Sequence, residues 1–240
     1  MAKVMGSVAR WTLMLALVAS AFLYTLKARE ETYDRFPGPG DGLWRTLNSN
    51  SLVFTRNWFL MGPAADNFLP NFNAYSIEKR LPPIFYVSYP PFFVFIPWAF
   101  SVVSGELPSL KLLMHLSLGA QAVTALLLLG FAYSLLCYVG MNRWISAGAA
   151  AFCGGLFNLA PASVFYFQNI WWPDLLVLPF FVAFVWAEIL SDRFADKRWF
   201  RTGLIALVFL GCMADWLFHF LVLAVLFLRW ISARGTERWK

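Results

Sequence analysis

The sequence predicts an all-α, polytopic transmembrane helical bundle in a single membrane domain over residues 1–240. Three observations predict it. Of the 240 residues, 60% are hydrophobic and only 13% are charged, against about 45–50% and about 25% in soluble domains. Mean hydropathy is +0.62. Aromatic residues reach 19%, with 12 Trp and 25 Phe, a composition suited to lipid-facing and interfacial surfaces. These figures exclude an ordinary water-soluble globule and a disordered chain. The net charge of +6 reads as loops flanking membrane spans. No basic patch interleaved with aromatics appears, so nucleic acid is not expected as a partner.

Charge-free runs define the elements in order. Residues 1–26 give the first transmembrane helix, with Lys3 and Arg10 preceding the uncharged Trp11 to Leu26. Ala-Ser-Ala at 19–21 lies inside the apolar stretch rather than after it, which favours an uncleaved helix over a signal peptide. Residues 27–109 form a long extracytoplasmic loop rich in proline. Within it, Phe92 to Val103 is uncharged but short and holds Pro97, as suits a re-entrant or interfacial segment. Residues 110–240 hold the remaining helices and a basic C-terminus. Leu112 to Asn142 and Trp144 to Pro173 are each long enough to cross a hydrocarbon core needing roughly 20 residues. A fourth span runs from Leu175 to about Leu190. Thr202 to Leu228 is split by Asp215 into two equal halves, read as a hairpin with Asp215 at its tip.

This arrangement gives about six spanning helices with both termini cytoplasmic. Eleven of the nineteen Lys and Arg then fall in the inner loops and ends, against four of the thirteen acids, as the positive-inside rule requires. A competing topology makes 92–103 a true span and Thr202–Leu228 one helix, burying Asp215 at mid-membrane at considerable cost. Cys137, Cys153 and Cys212 lie in apolar runs with no metal or redox spacing and read as small hydrophobes.

The remaining nine acids gather on the outer face. Asp174 follows Trp171, Trp172 and Pro173, and Pro-Asp is also a plain helix-start signal. Asp215 stands between two apolar halves with His219 four residues on, one helical turn away. The pair reads either as a local Asp–His hydrogen bond closing the hairpin or as a site contact. His115 reads as an ordinary helix residue. Lys79 and Arg80, upstream of Tyr86, Ser88 and Tyr89, suit a lipid phosphate or simple interfacial anchoring. Asn67, Asn71 and Asn73 suit sugar hydroxyls or turns equally. A divalent metal ion is permitted by the acids but no ligand spacing demands one.

One helix, a long outer loop ending in Tyr-x-Ser-Tyr-Pro-Pro (86–91), and a short apolar segment together resemble the integral-membrane glycosyltransferases of the GT-C superfamily. LAPASVFYFQNIWWPD (159–174) is similar to their second outer loop, and MADWLFHF (213–220) to a polar break found in some members. The likeness is to the N-terminal module. It implies that a carboxylate on the first outer loop acts as general base on an acceptor hydroxyl, which attacks a sugar carried on a polyprenyl phosphate. Asp41 is the first candidate for that base and Asp34 the second. The position nearer the family spacing holds Asn48 or Asn50. Lys79, Arg80, Tyr89, Asp174, Asp215 and His219 make up the expected substrate-binding set. The expected partners are a lipid-linked sugar donor, membrane lipids and other membrane-protein subunits, in a bacterial or archaeal cell membrane. The alternative reading is a non-catalytic subunit built on the same module.

Overall fold

The computed structural model describes residues 2–35, 43–72, 84–169 and 171–238. Among these the structure is all-α: α1 (Ala2–Arg35), α2 (Leu43–Met61), α3 (Phe92–Ser104), α4 (Leu110–Tyr138), α5 (Arg143–Leu159), α6 (Pro161–Asn169), α7 (Pro173–Phe194), α8 (Arg198–Ala214) and α9 (Trp216–Arg238). A single 3-10 turn, Pro63–Asp66, follows α2.

Local chemistry sets the boundaries. Ser109 caps α4, its hydroxyl accepting the Leu112 N–H at 3.2 Å. The same helix stops at Gly140, which takes φ 84° while its N–H returns to Cys137 O and that of Met141 to Leu136 O. Asn142 then caps α5 through the Trp144 N–H at 2.8 Å. Hence the uncharged run predicted to reach Asn142 ends four residues earlier as helix. The run from Trp144 to Pro173 is likewise not one rod. Pro161 cannot donate to the α5 ladder, and the chain bends by 55° between α5 and α6.

Long-range contacts fix helix direction. Trp11 meets Tyr133 edge-on at 5.1 Å and the Arg10 guanidinium lies over the Trp144 ring. Further along, the Asn158 amide donates to Val18 O at 3.3 Å, and Gln121 donates to Asn158 Oδ1 at 3.4 Å. Therefore α1 and α5 run one way and α4 the other. Trp186 Nε1 donates to Ser134 Oγ at 2.9 Å, setting α7 alongside α4. Arg229 of α9 pairs with Glu188 of α7, and Phe218 stacks on Phe181, so α9 follows α7 while α8 runs back between them. Asp215 thus lies on the tip of a hairpin, at the end of the bundle where α7 begins. This agrees with the hairpin reading and excludes a single helix over Thr202–Leu228. The opposite end gathers Arg10, Arg143, Lys197, Arg198 and Arg201 and is called the basic end below.

Close approach depends on small residues, as expected where apolar burial gives helices little reason to associate in lipid. Ala147, Ala150, Ala151 and Gly154 of α5 receive Met14 and Val18 of α1. At Gly130 of α4 the Trp186 ring fills the space a Cβ would take, 2.5 Å away.

Among the described residues three helices are long and apolar enough to cross a membrane: Gly6–Lys27, Leu110–Tyr138 and Pro173–Ser191. A fourth results if the bent pair Arg143–Leu159 and Pro161–Phe167 counts as one span. The α8–α9 hairpin falls short of the measure, α8 having 17 residues with Arg198 and Arg201 in its first turn. α3 does not traverse the bundle. It begins beside Trp172 through Phe93, and the chain has left it by Pro108, whose carbonyl accepts Arg56 Nε–H at 2.9 Å. Phe54, on the same helix as Arg56, touches Phe93, so the start of α3 and the segment that follows it lie against one stretch of α2.

Candidate functional site

The loop end is organised by α2, which buries Phe54 and Trp58 on one face. Polar side chains of that face hold the connecting segments. Trp171 is clamped three times: its N–H donates to Asn48 Oδ1 at 3.1 Å, its carbonyl accepts the Ser51 hydroxyl at 2.8 Å, and its indole N–H donates to Phe93 O at 2.7 Å. Asn57 donates to Asn71 O and Trp58 Nε1 to Leu69 O. The Tyr86 N–H reaches Pro70 O and the Phe72 N–H reaches Ile84 O, which pins the start of the Tyr86–Pro91 stretch.

That scaffold assembles an aromatic wall. Trp172 packs against Tyr86 at 5.7 Å, Tyr89 at 6.2 Å and Phe93 at 5.3 Å, while Tyr86 and Tyr89 stack at 6.1 Å. Pro173 opens α7 at its first position, and Asp174 stands exposed in the first turn. From the other side the α8–α9 hairpin brings Asp215, only 1% exposed. The Trp216 indole N–H donates to Ser88 O and ties the hairpin tip to the loop.

Charges interact at this point. Burial first, then the negative charge of Asp174 and a hydrogen bond to it, push the Tyr89 hydroxyl up to about 12. Tyr86 is raised chiefly by burial, with its Ser88 hydrogen bond acting in the opposite sense. Asp215, on the turn between the two helices, is pushed up to about 6, first by burial; the Leu217 N–H opposes the rise and the neighbouring Asp174 adds to it. Its Oδ1 accepts that N–H at 2.8 Å, and its Oδ2 makes no geometric hydrogen bond among the described residues. His219 Nδ1 is likewise buried without one, and its ring leans on Trp216 at 5.6 Å. The expected Asp215–His219 hydrogen bond is therefore not what closes the hairpin: the carboxylate caps the first turn of α9 instead. A tyrosine that stays protonated beside two acids, one of them holding its proton near neutrality, is an arrangement suited to receiving and passing a proton.

Of the expected site residues, Tyr89, Asp174, Asp215 and His219 converge here. Asp34 falls in α1 with its side chain outside the described residues, and Asp41, Lys79 and Arg80 lie outside them altogether. Asn71 turns inward, donating to Asp66 Oδ1 at 3.3 Å, so it shapes the loop rather than a surface. Sequence reasoning missed α2 and its Asn48–Ser51 clamp, although Leu47, Ser51, Phe54 and Trp58 recur at helical spacing. Among the described residues no third His, Cys, Asp or Glu joins Asp174 and Asp215 to make a cluster able to hold a metal ion.

An apolar trough of about 630 Å³ is bounded by α3, α4, α7 and α8 and reaches the entry of α7, though Tyr89, Asp174 and Asp215 do not line it. Ile96 and Phe100 form one wall, Leu176 and Phe180 another, and His115 and Gly119 lie along α4. Trp171 and Leu176, either side of Asp174 in the chain, both line it. Comparison with family models, with curated proteins and with solved structures found no match to this chain.

Proposed function

We propose that the protein handles a lipid-linked substrate at the extracytoplasmic membrane surface, as a glycosyltransferase that moves a sugar from a polyprenyl-phosphate donor to an acceptor hydroxyl. The observation that carries this reading is the convergence of Tyr89, Asp174 and Asp215 at the entry of α7, where an apolar trough lined by Trp171 and Leu176 also begins. The trough suits a long hydrocarbon tail, and the polar cluster suits the reacting head. Abstraction of the acceptor proton needs a carboxylate with a raised pKa in a partly desolvated place, which is what burial gives Asp215. Asp41, on the first loop, and Asp34, in the last turn of α1, remain candidate bases, and Lys79 and Arg80 candidate contacts for the leaving phosphate, a role for which cations are suited. In this reading the chain crosses the membrane six times, the α8–α9 hairpin included, and both ends are cytoplasmic.

A second reading is a non-catalytic subunit. It is favoured by the outward apolar residues of the hairpin, Ile205, Phe209, Phe220 and Phe227, all more than half exposed, which a neighbouring membrane chain would cover. One experiment separates the two. The full chain in proteoliposomes is given a radiolabelled polyprenyl-phosphate sugar and its products are followed, with Asp215→Asn, Asp174→Asn and Asp41→Asn variants alongside. Transfer by the wild type that falls at least about a hundredfold in one of the variants supports catalysis, since general-base contributions are typically of that size or more. No transfer by the wild type, with stable association to a copurifying membrane protein, supports the subunit.

A further inference from the structure

At the basic end, Arg10 is 9% exposed and its Nε–H is buried with no hydrogen-bond acceptor. Among the described residues the guanidinium forms no ion pair. Its Cζ lies 5.4 Å from the centre of the Trp144 ring. A cation over an indole gains a modest electrostatic attraction, but the ring offers the buried Nε–H no acceptor. The ring alone does not account for a guanidinium here. The helix that carries Trp144 makes matters worse for a lone cation: Trp144 is in the first turn of α5, the positive end of a 17-residue helix. Asn142 caps the Trp144 N–H, and helix geometry leaves the Arg143 and Ile145 N–H groups without an intrahelical acceptor. Ser146, in the next position, has a fully buried hydroxyl with no partner. The Arg10 Nε–H and the first N–H groups of α5 thus remain donors for which no protein acceptor is described.

We infer that Arg10, Trp144 and the first turn of α5 form a receptor for a phosphate group at the end of the molecule opposite the site described above. The phosphate belongs either to the headgroup of an anionic phospholipid or to phosphate in solution; the chemistry of recognition is the same. The guanidinium fork suits two phosphate oxygens, and free N–H groups at a helix start suit a third. Flanking aromatics Trp11, Tyr133 and Trp144 form the kind of girdle found at headgroup depth. The inference is independent of the catalytic reading, since it concerns the other end of the bundle.

The test uses the full chain in phosphatidylcholine nanodiscs, with phosphatidylglycerol or inorganic phosphate as probes. Retention of phosphatidylglycerol is read by native mass spectrometry and thermal stability by scanning fluorimetry. The wild type is expected to prefer phosphatidylglycerol, and Arg10→Gln to bind it about tenfold more weakly, the loss of one charge-assisted contact. Arg10→Lys, which keeps the charge without the fork, falls between. Stabilisation by phosphatidylglycerol but not by inorganic phosphate at matched ionic strength identifies the lipid as the source; stabilisation by inorganic phosphate alone identifies the soluble ion. Should Arg10→Gln not fold, the wild type still decides: no preference for phosphatidylglycerol over phosphatidylcholine and no response to phosphate overturns the inference, as does equal binding by wild type and Arg10→Gln.

Discussion

The indole N–H of Trp171 donates to the main-chain carbonyl of Phe93 at 2.7 Å, joining two residues 78 positions apart. Both are essentially inaccessible, at 3% and 0% exposure. The bond ties the entry of α7 to the first turn of α3, and so sets the wall on which Trp172, Tyr86 and Tyr89 assemble.

Trp171→Phe removes the donor and strands the Phe93 carbonyl in an apolar place. An unsatisfied buried acceptor costs about 1–3 kcal/mol, and each kcal/mol shifts the melting temperature of a chain this long by about 2–4 °C. The variant is expected to melt several degrees below wild type. Trp199→Phe, at a residue 65% exposed, is the matched control and is expected to melt with the wild type. Scanning fluorimetry in one detergent compares them.

Close packing around Gly130 leads to a second expectation. A Cβ there would stand 2.5 Å from Trp186 Cη2, and the same indole donates to Ser134 one turn on. Gly130→Val cannot be absorbed by a small adjustment, because moving the ring breaks that hydrogen bond. Overpacking typically costs about 1–3 kcal/mol. Gly119, where a Cβ meets nothing within 4 Å, lies on the same helix and should accept alanine with little effect on melting.

The pH dependence follows from Asp215. Its carboxyl titrates near 3.8 in an unfolded chain and is raised to about 6 in the fold, first by burial. The folded state therefore holds this proton more tightly than the unfolded state does. The group's contribution to stability is fully present below its unfolded value and is lost as pH rises through its folded one. Asp215→Asn takes the ionisation away and leaves an oxygen to accept the Leu217 N–H. The variant is expected to melt above wild type by a few degrees at about pH 8, with the difference gone at about pH 4. A constant difference across that range contradicts the assignment.

The parts of this architecture that were legible in the sequence are those encoded locally. Charge-free runs located α1, α4 and α7, and Asp215 marked a hairpin because a carboxylate is costly inside an apolar helix. The α2 helix was hidden by the same criterion: Arg45, Asn48, Asn50, Arg56 and Asn57 interrupt the run, yet three of them are structural polar groups whose bonds hold Trp171, Asn71 and Pro108 in place. The stop of α4 was written in Gly140 and Asn142, and was missed because both are uncharged and so prolong an apolar run. What no local pattern reveals is that Asp174 and Asp215 share one neighbourhood. That depends on the α8–α9 hairpin folding back along α7, a tertiary event carried by Phe218 against Phe181 and Arg229 against Glu188.

Sidedness gives the last expectation. The hairpin fold sets Asp174 and Asp215 at one end, and Asp196, paired at 3.8 Å with Arg201, at the other. If the bundle spans a membrane with its basic end in the cytoplasm, single cysteines at these ends must differ in access. Cys137, Cys153 and Cys212 are first replaced by alanine or serine. Asp174→Cys is then expected to react with a membrane-impermeant maleimide added to intact cells, and Asp196→Cys only after permeabilisation. Both acids are exposed, so accessibility rather than burial controls the rate. Asp41→Cys, on the first loop, is expected to behave as Asp174→Cys does. Labelling of positions 41 and 174 from opposite sides would separate the loop from the cluster at the start of α7 and would remove Asp41 from the reaction proposed above.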